Sequence, residues 1–237
     1  VPRGELMQSN KVSVTSSILL EASAGSLLPP VLQLPGIVVS GENTTLTLRH
    51  VCLKFKGTST VSTGAETLLE CRSGARLELI DCQLEGAGLK VCPNARAQLI
   101  RTQIHKSSSF GVAACDCEEL NMQDCDVMDC EGEGVHSTSS KRLCIADSRM
   151  AQNTLSGILV DGKPGEATIK GCTLADNGHF GIWVDSGSSV VWERNSLAGN
   201  MLGETGGRGS LEGNTSTYSV GDPCQVWCEE KAAWLPG

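Results

Sequence analysis

The sequence predicts an all-β protein: a right-handed parallel β-helix of about seven to eight coils, with ~23 residues per coil and a cap at each end. Three observations carry this prediction. Gly88, Gly111, Gly134, Gly157 and Gly181 recur at a nearly constant interval. Apolar residues between them alternate with period two in short runs, and Gly, Asn, Asp and Ser separate these runs. Helical repeats would need long runs with a period of 3.6 residues, so stacked coils of strands are expected instead.

Each repeat contains three short alternating segments, in the same order. The first follows the glycine, as in "ILVD" after Gly157. The second begins nine or ten residues after the glycine, at Ala97, Leu120, Leu143, Ala167 and Val190. The third is centred on an apolar residue that follows a small or polar one, as in Cys125/Val127 and Cys172/Leu174. Three strands of about five residues with three turns fill one coil, and coils stack about 4.8 Å apart.

Polar residues also recur at fixed positions in the turns. Asn153, Asn177 and Asn200 occupy one turn position, with Ser107 and Cys130 in earlier coils. Stacked amides at strand spacing can form a hydrogen-bonded ladder, so we expect one here. The glycine four residues later is expected to supply either a positive φ or a close backbone approach.

The "NxxxGIxV" copies at Asn153–Val160 and Asn177–Val184 resemble the degenerate repeats of the pectin-lyase-like superfamily. Such repeats occur in carbohydrate-binding and sugar-hydrolase β-helices, and in β-helices of some eukaryotic F-box and adaptor proteins. The resemblance covers most of the chain and implies the fold, whereas fold alone does not define function.

The twelve cysteines follow the repeat. Cys82, Cys125 and Cys172 share one position with Thr102 and Ser148, which indicates small buried side chains and mostly free thiols. Free thiols predict an intracellular protein, with secretion as the alternative. Neither "CDC" nor "CQVWC" has the paired spacing of a zinc site, so no metal and no other cofactor is expected.

The net charge of −8 and the lack of a basic run argue against nucleic acid and anionic membranes as partners. No apolar stretch is long enough to span a bilayer.

The ends of the chain differ from the repeats. Residues 1–4 ("VPRG") are expected to be a tag remnant, 5–35 an N-terminal cap and first coil, 36–205 the β-helix, and 206–237 a last irregular coil and C-terminal cap. Trp227 and Trp234 have the spacing of one helix face, and residues 56–66 are expected to form an exposed loop.

Outward positions of the first strand form two columns. One contains Lys90, Ala113, His136, Leu159 and Trp183, and the other contains Cys92, Cys115, Thr138, Asp161 and Asp185. The candidate ligand-binding residues therefore share one face: His136, Thr138, Leu159, Asp161, Trp183 and Asp185.

Two functions are compatible with this face. The first is a non-catalytic recognition or scaffold module that binds a protein partner and is part of a longer chain, as in eukaryotic proteins with similar repeats. The second is a carbohydrate-binding or carbohydrate-active domain, in which Trp183 stacks on a sugar and Asp161 and Asp185 share a proton. The hydrolase motifs Asn-Thr-Asp, Asp-Asp and Gly-His-Gly are absent, as is the epimerase motif Asp-Pro-His-Glu, so we assign no catalytic residue.

Overall fold

The computed structural model describes residues 11–22, 29–56 and 67–213, and the backbone of residues 225–228 and 233–236. The chain forms a parallel β-helix with no helical segment in these residues, as predicted. The strands of the early coils are β1 (Val12–Val14), β2 (Ile18–Glu21), β3 (Val31–Leu34), β4 (Ile37–Ser40), β5 (Thr45–Arg49), β6 (Cys52–Phe55), β7 (Thr67–Arg72), β8 (Arg76–Ile80) and β9 (Gln83–Glu85). The strands of the middle coils are β10 (Gly88–Val91), β11 (Arg96–Ile100), β12 (Gln103–His105), β13 (Val112–Cys115), β14 (Glu119–Gln123), β15 (Asp126–Met128), β16 (Val135–Thr138), β17 (Arg142–Ala146) and β18 (Arg149–Ala151). The remaining strands are β19 (Ile158–Asp161), β20 (Glu166–Lys170), β21 (Thr173–Ala175), β22 (Phe180–Val184), β23 (Ser189–Glu193), β24 (Ser196–Ala198), β25 (Gly203–Gly207), β26 (Ser210–Glu212), β27 (Gln225–Cys228) and β28 (Ala233–Pro236).

Every third strand belongs to the same sheet. Sheet A runs from β1 to β25, sheet B from β2 to β26, and sheet C from β3 to β24, with nine, nine and eight strands. The described residues thus form eight complete coils and two strands of a ninth. Neighbouring coils are in register, so that Val112, Val135, Ile158 and Ile182 stack in one inward column of sheet A.

The core consists of these inward columns. Leu79, Leu99, Met122 and Ile145 form one column of sheet B, and all four side chains are fully buried. Each coil covers the apolar layer of the next, and a fully buried aliphatic side chain contributes about 2 kcal/mol. A single coil therefore has no core of its own.

The corners of the coils depend on left-handed backbone conformations. The turn from sheet B to sheet C has a residue with positive φ in consecutive coils, and the other two turns repeat the pattern. Those of the sheet B to sheet C turn are His50, Asp81, Arg101, Asp124, Asp147, Gly171 and Arg194. Those of the sheet C to sheet A turn are Gly86, Lys106, Asp129, Gln152, Asp176 and Gly199. Asp and Asn tolerate this region better than other side chains, which explains why Asp recurs at these corners.

The repeated glycines serve a different purpose. Gly134 and Gly157 do not have positive φ, so of the two expected roles only the close backbone approach applies to them. A Cβ atom at Gly157 would lie 2.7 Å from the Gly181 carbonyl oxygen and 2.9 Å from Asn177 Nδ2. Close approach of the stacked turns is thus the reason for glycine here.

The predicted asparagine ladder is confirmed. Asn153 Nδ2 donates to Asn177 Oδ1 at 3.1 Å, and Asn177 Nδ2 donates to Asn200 Oδ1 at 2.9 Å. The Cys130 amide donates to Asn153 Oδ1, so the ladder continues into the earlier coil. Because all three amides are buried, each hydrogen bond replaces water that the core excludes.

The cysteines pack as the repeat predicted. The ten cysteines within residues 29–56 and 67–213 are free thiols. Cys125 and Cys172 are buried and donate weak hydrogen bonds to carbonyl groups of neighbouring turns and strands. Thr102 occupies the equivalent position in its own coil and donates a hydrogen bond to the Leu79 carbonyl group. Burial raises the pKa of Cys125 and of Cys172 from 9.0 to about 11.

These buried thiols make stability depend on pH. The folded state keeps a proton that the unfolded chain releases above pH 9, so this contribution is complete below pH 9 and is lost as pH rises through about 11. At pH 10 each of the two thiols should cost about 1 kcal/mol of unfolding free energy. In urea unfolding at pH 8 and pH 10, the double variant Cys125→Thr/Cys172→Thr should lose less stability than the natural sequence. Equal losses of unfolding free energy in the two proteins would contradict the assignment of this pH dependence to Cys125 and Cys172.

The C-terminal segment differs from the expectation. β27 and β28 pair as antiparallel strands, with Trp227 opposite Trp234, so the predicted helix face is wrong. Val226 and Trp227 favour strand structure, and the antiparallel register places Trp227 directly opposite Trp234. Most of the predicted loop at 56–66 and residues 1–10 lie outside the described residues. No described helix is long and apolar enough to cross a membrane.

Candidate functional site

The six predicted face residues lie together on the outward side of sheet A. Strand register places His136 beside Leu159 and Leu159 beside Trp183 in one column. Thr138 lies beside Asp161 in the second column, and Asp185 follows β22 in the next coil. This set is called the sheet A face below. Its geometry follows from period two, because outward side chains alternate with the core residues.

A hydrogen-bonded cluster lies at the centre of the sheet A face. His136 Nε2 is 3.2 Å from Asp161 Oδ2 and 3.3 Å from Thr138 Oγ1. The side chains of His136 and Asp161 are 31% and 33% exposed, so both remain accessible from solvent. Asp161 Oδ1 is buried and has no hydrogen-bond partner among the described residues. The cluster therefore contains one acceptor that stays unsatisfied inside the protein, while Oδ2 of the same carboxylate is the oxygen that faces His136.

The carboxylates of Asp161 and Asp185 are not hydrogen-bonded to each other. Asp161 directs one oxygen to His136 in the preceding coil, and no hydrogen bond joins it to Asp185, whose side chain is exposed. The side chains prefer this arrangement because a histidine can donate to a carboxylate, whereas two carboxylates repel each other.

An aromatic pair lies next to this cluster. The ring centroids of Phe180 and Trp183 are 5.0 Å apart, with an angle of 50° between the ring planes. Both side chains are half-buried, and they cover Gly206, where a Cβ atom would lie 2.7 Å from Trp183 Cε3. Sequence reasoning missed Phe180, because it precedes the repeat glycine instead of following it. Strict alternation would place residues three apart on opposite sides of the strand, so period two offered no signal for this pair.

The outward faces of sheets B and C differ from the sheet A face in their charges. Their charged residues form ion pairs between neighbouring coils: Lys54–Glu85, Arg96–Glu118, Lys141–Glu118, Arg142–Glu166, Arg149–Asp126 and Lys170–Glu193. At the corner between these sheets Arg101 donates to Asp81 at 2.6 Å and lowers the pKa of that carboxyl group. These surfaces thus neutralise many of their own charges.

No group of three or more His, Cys, Asp or Glu residues that could bind a metal ion occurs within residues 11–22, 29–56 and 67–213. A cavity of about 250 Å³ on sheet C is lined by Gln83, Leu84, Glu85, His105, Lys106 and Asp129. It lies away from the sheet A face and shares no residue with it.

Residues 35–222 match the family model described as the right handed beta helix region, and the chain belongs to this family. No characterised protein sequence matches the chain. Among solved structures, it is similar to a double mutant of the periplasmic alginate epimerase AlgG, with 10% identity and a TM-score of 0.42, over 79% of this chain and 61% of that chain. It thus spans about three fifths of that structure. The A-module of the Azotobacter vinelandii mannuronan C-5 epimerase AlgE4 is similar over 88% of this chain and 91% of that chain, with 11% identity and a TM-score of 0.29.

The intracellular location predicted from the cysteines does not hold as an inference, and the epimerase AlgG, which the chain resembles, is itself a periplasmic protein. The prediction used free thiols as an indicator of the cellular compartment, and that step is wrong for buried thiols. Most of these thiols are buried in the stacked layers, where they fill space and five of them donate to a backbone carbonyl group. A thiol held in this way is shielded from oxidants, so its free state does not report the surrounding redox conditions.

Proposed function

We propose that this β-helix is a non-catalytic recognition module that binds a protein partner through the sheet A face. The observation that carries the proposal is the contrast between the faces. Sheets B and C use their charged side chains in ion pairs between coils, whereas the sheet A face offers half-buried aromatic and apolar side chains beside polar groups. Aromatic residues in such a setting are typical of protein interfaces.

The polar cluster supports binding more than catalysis. A single nitrogen of His136 faces both Asp161 and Thr138, so the three groups do not form a chain in which a base activates a hydroxyl group. Asp161 and Asp185 do not form the proton-sharing pair that a general acid would need. A stiff face with fixed side chains still suits recognition, because little conformational entropy is lost on binding.

A second candidate is a carbohydrate-binding domain, and the Phe180–Trp183 pair favours it. Rings exposed on one side can stack on the apolar face of a sugar, and the neighbouring Asp161 and Thr138 can exchange hydrogen bonds with its hydroxyl groups. Both candidates use the same face, and one experiment distinguishes them.

A photo-crosslinking amino acid at position 159 tests the proposal. It should give a discrete crosslinked protein in an extract of the source cells, and the product should disappear when Trp183→Ser is added. The same amino acid at Thr168, a half-exposed outward residue of sheet B, is the matched control. Equal products from both positions, or none from position 159, would contradict protein binding. Binding of a neutral glycan on an array, lost in Trp183→Ala and kept in the sheet B variant Val191→Ala, would instead support the carbohydrate candidate.

A further inference from the structure

Two cysteines lie beside each other on the outward side of sheet A, next to the sheet A face but outside the residues that define it. Strands β10 and β13 are paired so that Val91 lies beside Ala114. The residues that follow these two are Cys92 and Cys115. Because Val91 and Ala114 point into the core, alternation directs both thiols outward. Cys92 is 9% exposed and Cys115 is half-buried, so solvent reaches the pair.

Contacts of the thiols agree with this outward orientation. Cys92 Sγ donates to Glu70 Oε1 at 3.8 Å, and Glu70 is itself an outward residue of sheet A. The thiol of Cys115 forms no hydrogen bond with another described residue. Cys71 and Cys117 lie in the same coils, but both are fully buried and donate hydrogen bonds within the core. Cys92 and Cys115 therefore form a separate pair at the surface.

The spacing of the coils suits a metal ion between these two thiols better than a disulfide bond. In-register side chains of parallel neighbours point the same way, and their strands lie about 4.8 Å apart. A disulfide needs sulfur atoms about 2 Å apart, so the two side chains would have to turn toward each other. Metal–thiolate bonds are about 2.3 Å long, so an ion midway between two thiolates spans about 4.6 Å. A linear ion with two sulfur ligands thus matches the separation of the strands.

Lys90 supplies the charge that such a site needs. It lies between the two coils' thiols in the neighbouring outward column, with Glu70 beside it in the preceding coil. Glu70 forms its ion pairs with Lys11 and Arg72 and not with Lys90. Two thiolates and one monovalent cation carry one negative charge, which the ammonium group of Lys90 balances.

The electrostatic surroundings of the two thiols support this arrangement. Burial is the largest cause that raises the pKa of both Cys92 and Cys115, and Lys90 lowers the pKa of both. Cys115 also raises the pKa of Cys92, because the two sulfur atoms are close enough for their charges to interact. The acids that raise these values further are Glu70 at Cys92, and Asp116 and Asp161 at Cys115. Both thiols therefore keep their protons at neutral pH until a metal ion displaces them.

We propose that Cys92 and Cys115 bind one copper(I) ion as a linear site with two sulfur ligands. Thiolates are soft ligands, and copper(I) is a soft ion that they select. Zinc and iron–sulfur clusters also bind thiolates, but they need four ligands. No group of three or more His, Cys, Asp or Glu that could hold such a metal occurs in the described part of the chain. As one copper(I) ion binds, two S–H bonds break and two protons are released to water.

Titration of copper(I) against a chromophoric copper(I) chelator tests the site. Every protein in this experiment carries Cys224→Ser and Cys228→Ser, so that these two cysteines cannot compete for copper. The protein with Cys92 and Cys115 intact should take one copper(I) ion per chain from the chelator, and X-ray absorption at the copper edge should show two sulfur ligands. Because two protons leave, the affinity should rise about hundredfold for each pH unit between about pH 6 and pH 8.

Two variants and a matched control locate the copper. Cys115→Thr introduces the residue that the next coil has in this column, Thr138, so it preserves the packing of the coil. This variant and Cys92→Ser should each weaken copper(I) binding at least about hundredfold. The control Cys144→Ser removes a half-buried outward thiol of sheet B with no cysteine beside it in its column. Its affinity should stay within about threefold of the protein with the intact pair.

Equal affinity in the four proteins would overturn the inference, because copper would then be bound by other thiols. Failure of the protein with the intact pair to take copper from the chelator would also overturn it, as would three or more sulfur ligands in the absorption spectrum. Far-ultraviolet circular dichroism verifies the fold of each variant. If Cys92→Ser loses its strand spectrum, Cys115→Thr decides the result.

Discussion

The variant Asn177→Ala is expected to lose about 4 kcal/mol of unfolding free energy, because two buried N–H groups lose their acceptor together. Asn177 Oδ1 accepts from the Asn153 amide at 3.2 Å and from Asn153 Nδ2 at 3.1 Å. Asn177 Nδ2 donates to the Met150 carbonyl at 3.1 Å and to Asn200 Oδ1 at 2.9 Å. Alanine removes all four hydrogen bonds in a buried turn.

The control for this prediction is Asn121→Ala. Asn121 points outward from sheet B and is half-exposed, so water can replace its amide and the change should stay within about 0.5 kcal/mol. Equilibrium unfolding in urea, followed by circular dichroism, measures both variants. A loss below about 1 kcal/mol in Asn177→Ala would mean that the ladder contributes little, and the account of the turn would then be wrong.

The variant Gly157→Val is expected to destabilise the protein by about 3 kcal/mol or to prevent folding. The first side-chain atom would lie 2.7 Å from the Gly181 carbonyl oxygen and 2.9 Å from Asn177 Nδ2. The carbonyl belongs to backbone that is itself held by the next coil, so it cannot move away without breaking the stack. The substitution therefore separates two coils and disturbs the asparagine ladder at the same time.

Gly187→Ala is the matched control for the glycine prediction. Gly187 has a φ of 87°, but the nearest atom to an added Cβ is Lys163 Cε at 3.5 Å, so only backbone strain is expected. That strain costs about 1 kcal/mol. Thermal unfolding should thus rank the natural protein above Gly187→Ala and Gly187→Ala well above Gly157→Val. The opposite order would show that φ, and not contact between turns, determines where glycine is needed.

Sequence periodicity was sufficient for the fold because one rule repeats in every coil. The alternation around Ile158 and Val160 predicts which side chains face inward, and the constant interval predicts which ones stack. The same rule predicts His136, Leu159 and Trp183 in one outward column, and the strand register confirms it. Buried thiols at Cys125 and Cys172 followed from the Thr102 that replaces them in another coil.

Periodicity was not sufficient for the corners and the C-terminal end. The positive φ values belong to Asp81, Asp124 and Asp147 and not to the repeat glycines, because turn conformation depends on local sterics that the interval does not encode. The spacing of Trp227 and Trp234 is compatible with both a helix and a hairpin, and strand pairing decided between them.

The coil length, the identity of the core and the side of the sheet on which each candidate residue lies can all be predicted from the amino-acid sequence, since they depend on the repeat interval and on the alternation of apolar side chains along the chain. Contacts between coils, which the folded structure alone shows, pair Asp161 with His136 instead of Asp185, bring Phe180 against Trp183, and neutralise many of the carboxylates on sheets B and C. The physical reason is that side-chain contacts join residues of different coils, through rotamers and charges that no single repeat contains.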